Sequence, residues 1–260
     1  MRARTALQLI RVETTIVVFL SLFLPVLVRS GSVRESATKA APLLFICICT
    51  WIANDLDDRE RDKINHPERP LPVGSITPET AAIVYFVSLA ASLITTRYCA
   101  PSDVAFWYYL ILFLALSYGY VVELLPAVKA FYVSGAIALP VIIVERFYPA
   151  DTKLYKVAVS AFLFSCGKEL CMDVLDRLGD PASLLHQLEP NTVAAIAFGF
   201  EIVAVVLLAL TVSGRVAFAF ISAISCIIIV AMFAWRHASR RRLAVALMRL
   251  PMLLGVYFLF

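Results

Sequence analysis

Ala40–Ala41–Pro42–Leu43–Leu44–Phe45–Ile46–Cys47–Ile48–Cys49–Thr50–Trp51–Ile52–Ala53 is an apolar run without a charge. It breaks directly into Asn54–Asp55–Leu56–Asp57–Asp58–Arg59–Glu60–Arg61–Asp62. With the residues before it, the run reads as a membrane-crossing helix over 37–54, close to the roughly 20 apolar residues that a bilayer core demands. A second apolar stretch, 154–173, ends the same way, in Asp173–Val174–Leu175–Asp176 and then Asp180. Acids at membrane depth are costly and mark function by default, so these two ends organise the reading of the rest.

The composition agrees with a membrane chain. Of 260 residues, 61% are hydrophobic and 16% charged, against about 45–50% and about 25% in a soluble domain. One globular core cannot hide that excess. It excludes a disordered chain, a secreted disulfide scaffold and a nucleic-acid module, and no nucleic-acid partner is expected. The six cysteines form no CxxC pair, and no histidine stands at zinc-site spacing; they read as small apolar residues.

Apolar runs fall at 13–30, 37–54, 78–98, 102–122, 127–147, 154–173, 192–212, 215–235 and 242–260, nine candidate spans in all. Strand-like alternation is absent, and in lipid only helices or closed barrels satisfy the backbone. The expectation is therefore an all-α, polytopic membrane protein, one domain over 1–260, with about nine transmembrane helices. The 2–3 and 6–7 connections are long and acidic; the others are short. With nine spans, 15 of the 23 Lys and Arg residues fall on the side that carries the amino terminus and both acidic loops, and eight on the other. The positive-inside rule places the Asp-rich loops in the cytoplasm.

Asp55, Asp58 and Asp62 stand at i, i+3 and i+7, and so do Asp173, Asp176 and Asp180. That spacing follows one helical face. Asn54 precedes Asp58 by four residues, and Glu169 precedes Asp173 by four. Like charges on one face repel, and a hard divalent cation relieves the repulsion. Oxygen donors without sulfur or imidazole favour Mg²⁺, which takes one or two carboxylates and leaves room for phosphate oxygens. Two such sets suit two Mg²⁺ ions around one diphosphate. Arg11, Lys63, Arg69, Lys129 and Lys168 stand near the sets, and such bases clamp phosphate oxygens and neutralise a leaving group. The chemistry that follows is ionisation of an allylic diphosphate. Its carbocation needs shielding from water and aromatic faces, for which Trp51, Tyr118, Tyr120, Phe131 and Tyr132 are candidates.

These residues resemble a known family. Asn54–Asp55–x–x–Asp58–x–x–x–Asp62 and Asp173–x–x–Asp176–x–x–x–Asp180 are similar to the two signatures of the UbiA superfamily of intramembrane prenyltransferases. Asp62–Lys63–Ile64–Asn65–His66–Pro67–Glu68–Arg69–Pro70–Leu71–Pro72, Leu9–Ile10–Arg11–Val12–Glu13–Thr14 and Lys168–Glu169–Leu170 resemble the branch that includes archaeal digeranylgeranylglyceryl phosphate synthases. The resemblance implies a nine-helix bundle around a central cavity and a prenyl diphosphate substrate. It implies Asn54, Asp58, Asp176 and Asp180 as direct Mg²⁺ ligands, with Asp55, Asp62 and Asp173 as catalytic carboxylates in the same clusters. It further implies diphosphate contacts from Arg11, Arg69 and Lys129.

The chain departs from the family after the second signature. Gly179–Asp180–Pro181–Ala182–Ser183–Leu184–Leu185–His186–Gln187 lacks the basic residue usual there and is shorter by about two residues. That departure motivates an alternative, a terpene cyclase of the same superfamily, which ionises the same substrate without an acceptor. A cation transporter fits less well, because transporters place charges near the midplane and these acids lie at helix ends.

Overall fold

A peptide unit in lipid has no water to bond, so charge-poor runs of this length must satisfy their own backbone as helices. The computed structural model, described over residues 3–149, 153–176, 187–211, 215–248 and 250–251, bears this out, with no strand among the described residues. The helices are α1 (Ala3–Leu9), α2 (Val12–Ser30), α3 (Val33–Asp57), α4 (Arg59–Asn65), α5 (Pro78–Cys99), α6 (Ser102–Leu124), α7 (Lys129–Phe147), α8 (Lys153–Leu175), α9 (Pro190–Ala209), α10 (Arg215–Trp235) and α11 (Arg241–Met248).

Eight of the nine expected runs match α2, α3 and α5–α10 closely; the last, 242–260, lies largely outside the described residues. Among the described residues, six helical stretches are long and apolar enough to cross a membrane: α2, α3, α5, α6, α9 and Pro126–Phe147, which is α7 with its preceding turn. In α10 the apolar stretch within the described side chains is Ala219–Trp235. Helix α8 falls outside that set because it carries Lys156, Lys168, Glu169 and Asp173.

Local chemistry sets the ends. The Ser32 hydroxyl caps α3 by accepting from the Glu35 N–H at 3.2 Å, and the Ser32 N–H donates to Ser30 Oγ at 3.1 Å. Thr77 caps α5, and Pro78 fills its first position, where a missing N–H costs nothing.

Two compact units divide the chain, Met1–Tyr120 and Val121–Phe260. In the first, α3 packs between α2 and α5. Leu9, Ile52, Leu71, Ile76 and Ala81 form a buried cluster beneath its acidic end, and the Tyr108 hydroxyl donates to the Lys39 carbonyl at 2.5 Å, tying α6 to α3. In the second, α8 packs between α7 and α9, and α10 packs on α9 and α11. The α8–α9 contact closes at Gly167, where a Cβ would meet the Ala197 carbonyl oxygen at 2.7 Å and Glu201 Cγ at 3.0 Å. Small residues bring helices this close in membranes. Glu201 is fully buried in α9, and neither of its carboxyl oxygens has a hydrogen-bond partner.

Candidate active site

In the first unit the acidic signature does not lie on one unbroken helix. Helix α3 ends at Asp57, and α4 begins at Arg59, with Asp58 at the joint. Backbone bonds still bridge it, Asp58 N–H to the Asn54 carbonyl and Asp62 N–H to the Asp58 carbonyl, each at 2.8 Å. The three carboxylates therefore separate into two groups. Asp55 and Asp62 are buried, 2% and 3% exposed. Asp58 keeps 22% of its side chain exposed.

The buried pair is held by two arginines, one 44 residues before Asp55 and one seven residues after Asp62. The Arg11 guanidinium donates to Asp55. Arg69 Nη1 donates to both Asp62 oxygens, at 2.7 and 2.6 Å, and reaches Asp55 at 3.5 Å. Two cations thus balance two buried anions, which neither sign could do alone at acceptable desolvation cost. Burial pushes the Asp62 carboxyl above its ordinary range, against the opposing pull of Arg69. Burial and the neighbouring Arg69 hold the His66 imidazole below its ordinary value.

Arg11 sits between α1 and α2 with φ 44° and ψ 56°, the one non-glycine residue with positive φ among the described residues. Its guanidinium lies 5.1 Å from the Trp51 ring centroid, and the Trp51 indole N–H donates to Thr15 Oγ1 at 3.2 Å. Such a backbone costs about 1–3 kcal/mol and persists only where its surroundings hold it, here through the Asp55 contact.

Asp58 faces different partners. The Asn54 amide N–H donates to its Oδ2 at 2.9 Å, and Arg61 lies 2.9 Å from Oδ1. Asn54 and Asp58 thus form a side-by-side pair of hard oxygen donors, the more open part of the cluster. They fit Mg²⁺, which takes few protein ligands and keeps positions for phosphate and water. Among the described residues, no three His, Cys, Asp or Glu side chains converge on one point.

The second unit repeats part of this plan. Asp173, on the last turn of α8, is buried, and Lys129, the first residue of α7, donates to its Oδ1 at 3.1 Å. Asp176 lies just past the helix and is half-buried, its N–H bonded to the Met172 carbonyl at 3.0 Å. Asp173 stands three residues before Asp176, as Asp55 does before Asp58. In each unit the first aspartate is buried on a base 44 residues away in sequence, and the next is more open. Asp180 and the altered loop after it lie outside the described residues.

Not every expected base reaches a signature aspartate. Lys63 is half exposed and pairs with Glu60 at 2.6 Å. Lys168 pairs with Glu169, its neighbour in sequence. Among the aromatic candidates, Trp51 stands under Arg11, Phe131 packs on Phe162 and Phe200, and Tyr120 is exposed. Thr15, Arg61 and Glu201 were not singled out from sequence. Arg61 lies three residues after Asp58, a helical pairing distance that was there to be read.

Residues 16–254 match a family described as the UbiA prenyltransferase family. The chain is 31% identical over 160 residues to a digeranylgeranylglyceryl phosphate synthase of Thermococcus sibiricus, covering 55% of this chain and 53% of that protein. It is 28% identical to the Sulfolobus acidocaldarius enzyme of the same name, over 69% of this chain and 66% of that protein. The matched stretch thus spans about half the length of the Thermococcus relative. A UbiA homologue from Aeropyrum pernix has the same fold, with a TM-score of 0.74 at 17% identity over 94% of this chain and 96% of that one. So does a homologue from Archaeoglobus fulgidus bound to GPP and Mg²⁺, with a TM-score of 0.61 at 17% identity over 97% and 99%.

Proposed function

We propose that this chain, which belongs to the UbiA prenyltransferase family and is an integral membrane protein, is an intramembrane prenyltransferase that acts as one domain over 1–260. It ionises a prenyl diphosphate and passes the prenyl group to an acceptor. The observation that carries the reading is the cluster of Arg11, Asp55, Asp62 and Arg69 beside the more open Asn54–Asp58 pair.

In the reaction, the bond between prenyl C1 and the bridging oxygen breaks, with both electrons leaving on the diphosphate. The acceptor then bonds to C1 and loses a proton. Asn54, Asp58, Asp176 and Asp180 are the proposed ligands for two Mg²⁺ ions, which supply positive charge for the phosphate oxygens when bound. Arg11, Arg69 and Lys129 contact the diphosphate. Asp55, Asp62 and Asp173 serve them as positioning residues: each holds a long, flexible base in one orientation through a buried ion pair. Lys63 and Lys168 have a lesser part, since each is paired with a neighbouring glutamate. The names of the similar archaeal enzymes favour the hydroxyl of a prenylated glyceryl phosphate as acceptor. The charge distribution favours acidic loops in the cytoplasm.

The test is release of diphosphate from geranylgeranyl diphosphate by the purified chain with Mg²⁺. Asp58→Ala and Asp176→Ala abolish it, and retained turnover in both refutes the assignment. Omitting the acceptor separates the two readings of the product. Unconsumed substrate supports transfer, and a cyclic hydrocarbon or terpene alcohol supports the cyclase.

A further inference from the structure

Helices α9 and α10 enclose a groove of about 580 Å³ in the second unit, within the roughly 300–1,000 Å³ typical of small-molecule sites. It has a polar end and an apolar length. Asn191, in the first turn of α9, meets Trp235 and Arg236 at the close of α10. From there Ala195, Phe198, Ile229 and Met232 continue the wall, and Ile229 and Met232 are exposed.

Three observations give the groove a charge and a missing partner. Trp235 is 3% exposed, yet its indole N–H has no acceptor. Arg236, exposed at the mouth, lies 5.3 Å from the Phe233 ring centroid. Behind them the Arg241 guanidinium is 5.2 Å from the Trp235 ring, and its Nε also lacks an acceptor. The nearby acid, Glu189, does not line the groove. Buried donors are nearly always bonded, so this end asks for an anionic acceptor. The exposed wall that continues from it asks for an apolar chain on the same molecule.

We propose that this groove binds one anionic phospholipid of the surrounding membrane. The phosphate accepts from the Asn191 amide, the Trp235 indole N–H and Arg236, and one acyl chain lies along Ala195, Phe198, Ile229 and Met232. Basic pockets between membrane helices select anionic headgroups, and indoles favour the interface, where one edge is wet and the body apolar. A choline headgroup brings its own cation to the arginines and binds less well.

The experiment is native mass spectrometry of the detergent-purified full chain equilibrated with phosphatidylglycerol or phosphatidylcholine. One phosphatidylglycerol is retained per chain, and phosphatidylcholine is not. Arg236→Gln lowers retention about fivefold, the worth of one surface base. Trp235→Phe, which keeps a ring and removes the N–H, lowers it as well. Arg242→Gln, outside the groove, leaves it unchanged. Equal retention of the two lipids, unchanged retention in either groove variant that folds, or an equal loss in Arg242→Gln overturns the proposal. If Trp235→Phe does not fold, the exposed Arg236 side chain alone decides it.

Discussion

Replacing Gly167 by alanine tests how the second acidic set is held. The added Cβ would stand 2.7 Å from the Ala197 carbonyl oxygen and 3.0 Å from Glu201 Cγ. The closer atom is backbone and cannot swing aside, so α8 must move away from α9. Overpacking of this kind costs about 1–3 kcal/mol. Gly135 in α7 and Gly199 in α9 are the controls, since a Cβ at either meets nothing within 4 Å. Alanine at those positions gains about 0.5–1 kcal/mol of helix stability. Thermal unfolding in detergent, followed by far-ultraviolet circular dichroism, gives a lower Tm for Gly167→Ala and unchanged or higher values for the controls. At about 2–4 °C per kcal/mol, the loss is readily measured. Adding Glu201→Ala relieves the 3.0 Å contact and leaves the 2.7 Å one, so the cycle shows a coupling small beside the Gly167→Ala loss. Diphosphate release falls with the Tm, because α8 carries Asp173 on its last turn. A Gly167→Ala protein that melts at or above the parent temperature would refute the close approach of α8 and α9.

Arg69→Ala leaves Asp62 buried without its cation; a cost of about 3–5 kcal/mol appears as a lower Tm, and loss of a charge-stabilising donor cuts turnover about 10²–10³-fold. Arg69→Lys restores part of the Tm and little of the turnover, since an ammonium lacks the planar fork; full recovery by lysine refutes the geometric argument. Glu201→Met removes two unpartnered carboxyl oxygens from the α8–α9 contact at similar volume and raises stability by about 1–3 kcal/mol; a lower Tm shows that the carboxyl has a partner after all. Chelation of divalent cations stops diphosphate release and added Mg²⁺ restores it; release that persists in chelator sinks the metal assignment.

The helices were legible because each is written locally. The 78–98 run became Pro78–Cys99, with Thr77 and Pro78 marking its start as plainly in sequence as in structure. The acidic sets were legible for the same reason, as spacings within a few residues. What the sequence hid is long-range. Arg11 and Asp55 lie 44 residues apart, and Lys129 and Asp173 are separated by the same distance; nothing local says which base meets which acid. The helical face drawn through Asp55, Asp58 and Asp62 missed the joint at Asp58, because ion pairing on either side decides where the carboxylates point. Lys63 and Lys168 stand near the signatures in sequence, and the same nearness puts each beside a glutamate, with which it pairs. Glu201 escaped notice as a lone acid in an apolar run, where no pattern draws attention to it.

The left-handed turn at Arg11 bears on how this end of the chain acquires its shape. Arginine is a good helix former, and the left-handed region disfavours it by about 1–2 kcal/mol. Thr15 Oγ1 donates to the Ile10 carbonyl at 2.7 Å across the break, and the Arg11–Asp55 ion pair holds the turn from another helix. The buried Asp55 carboxylate offsets the cost by holding the guanidinium. The direction of α1 thus depends on a contact with α3, and Asp55→Asn would loosen the turn as well as remove a charge. At this position a contact made 44 residues away in the chain is written into a single dihedral angle.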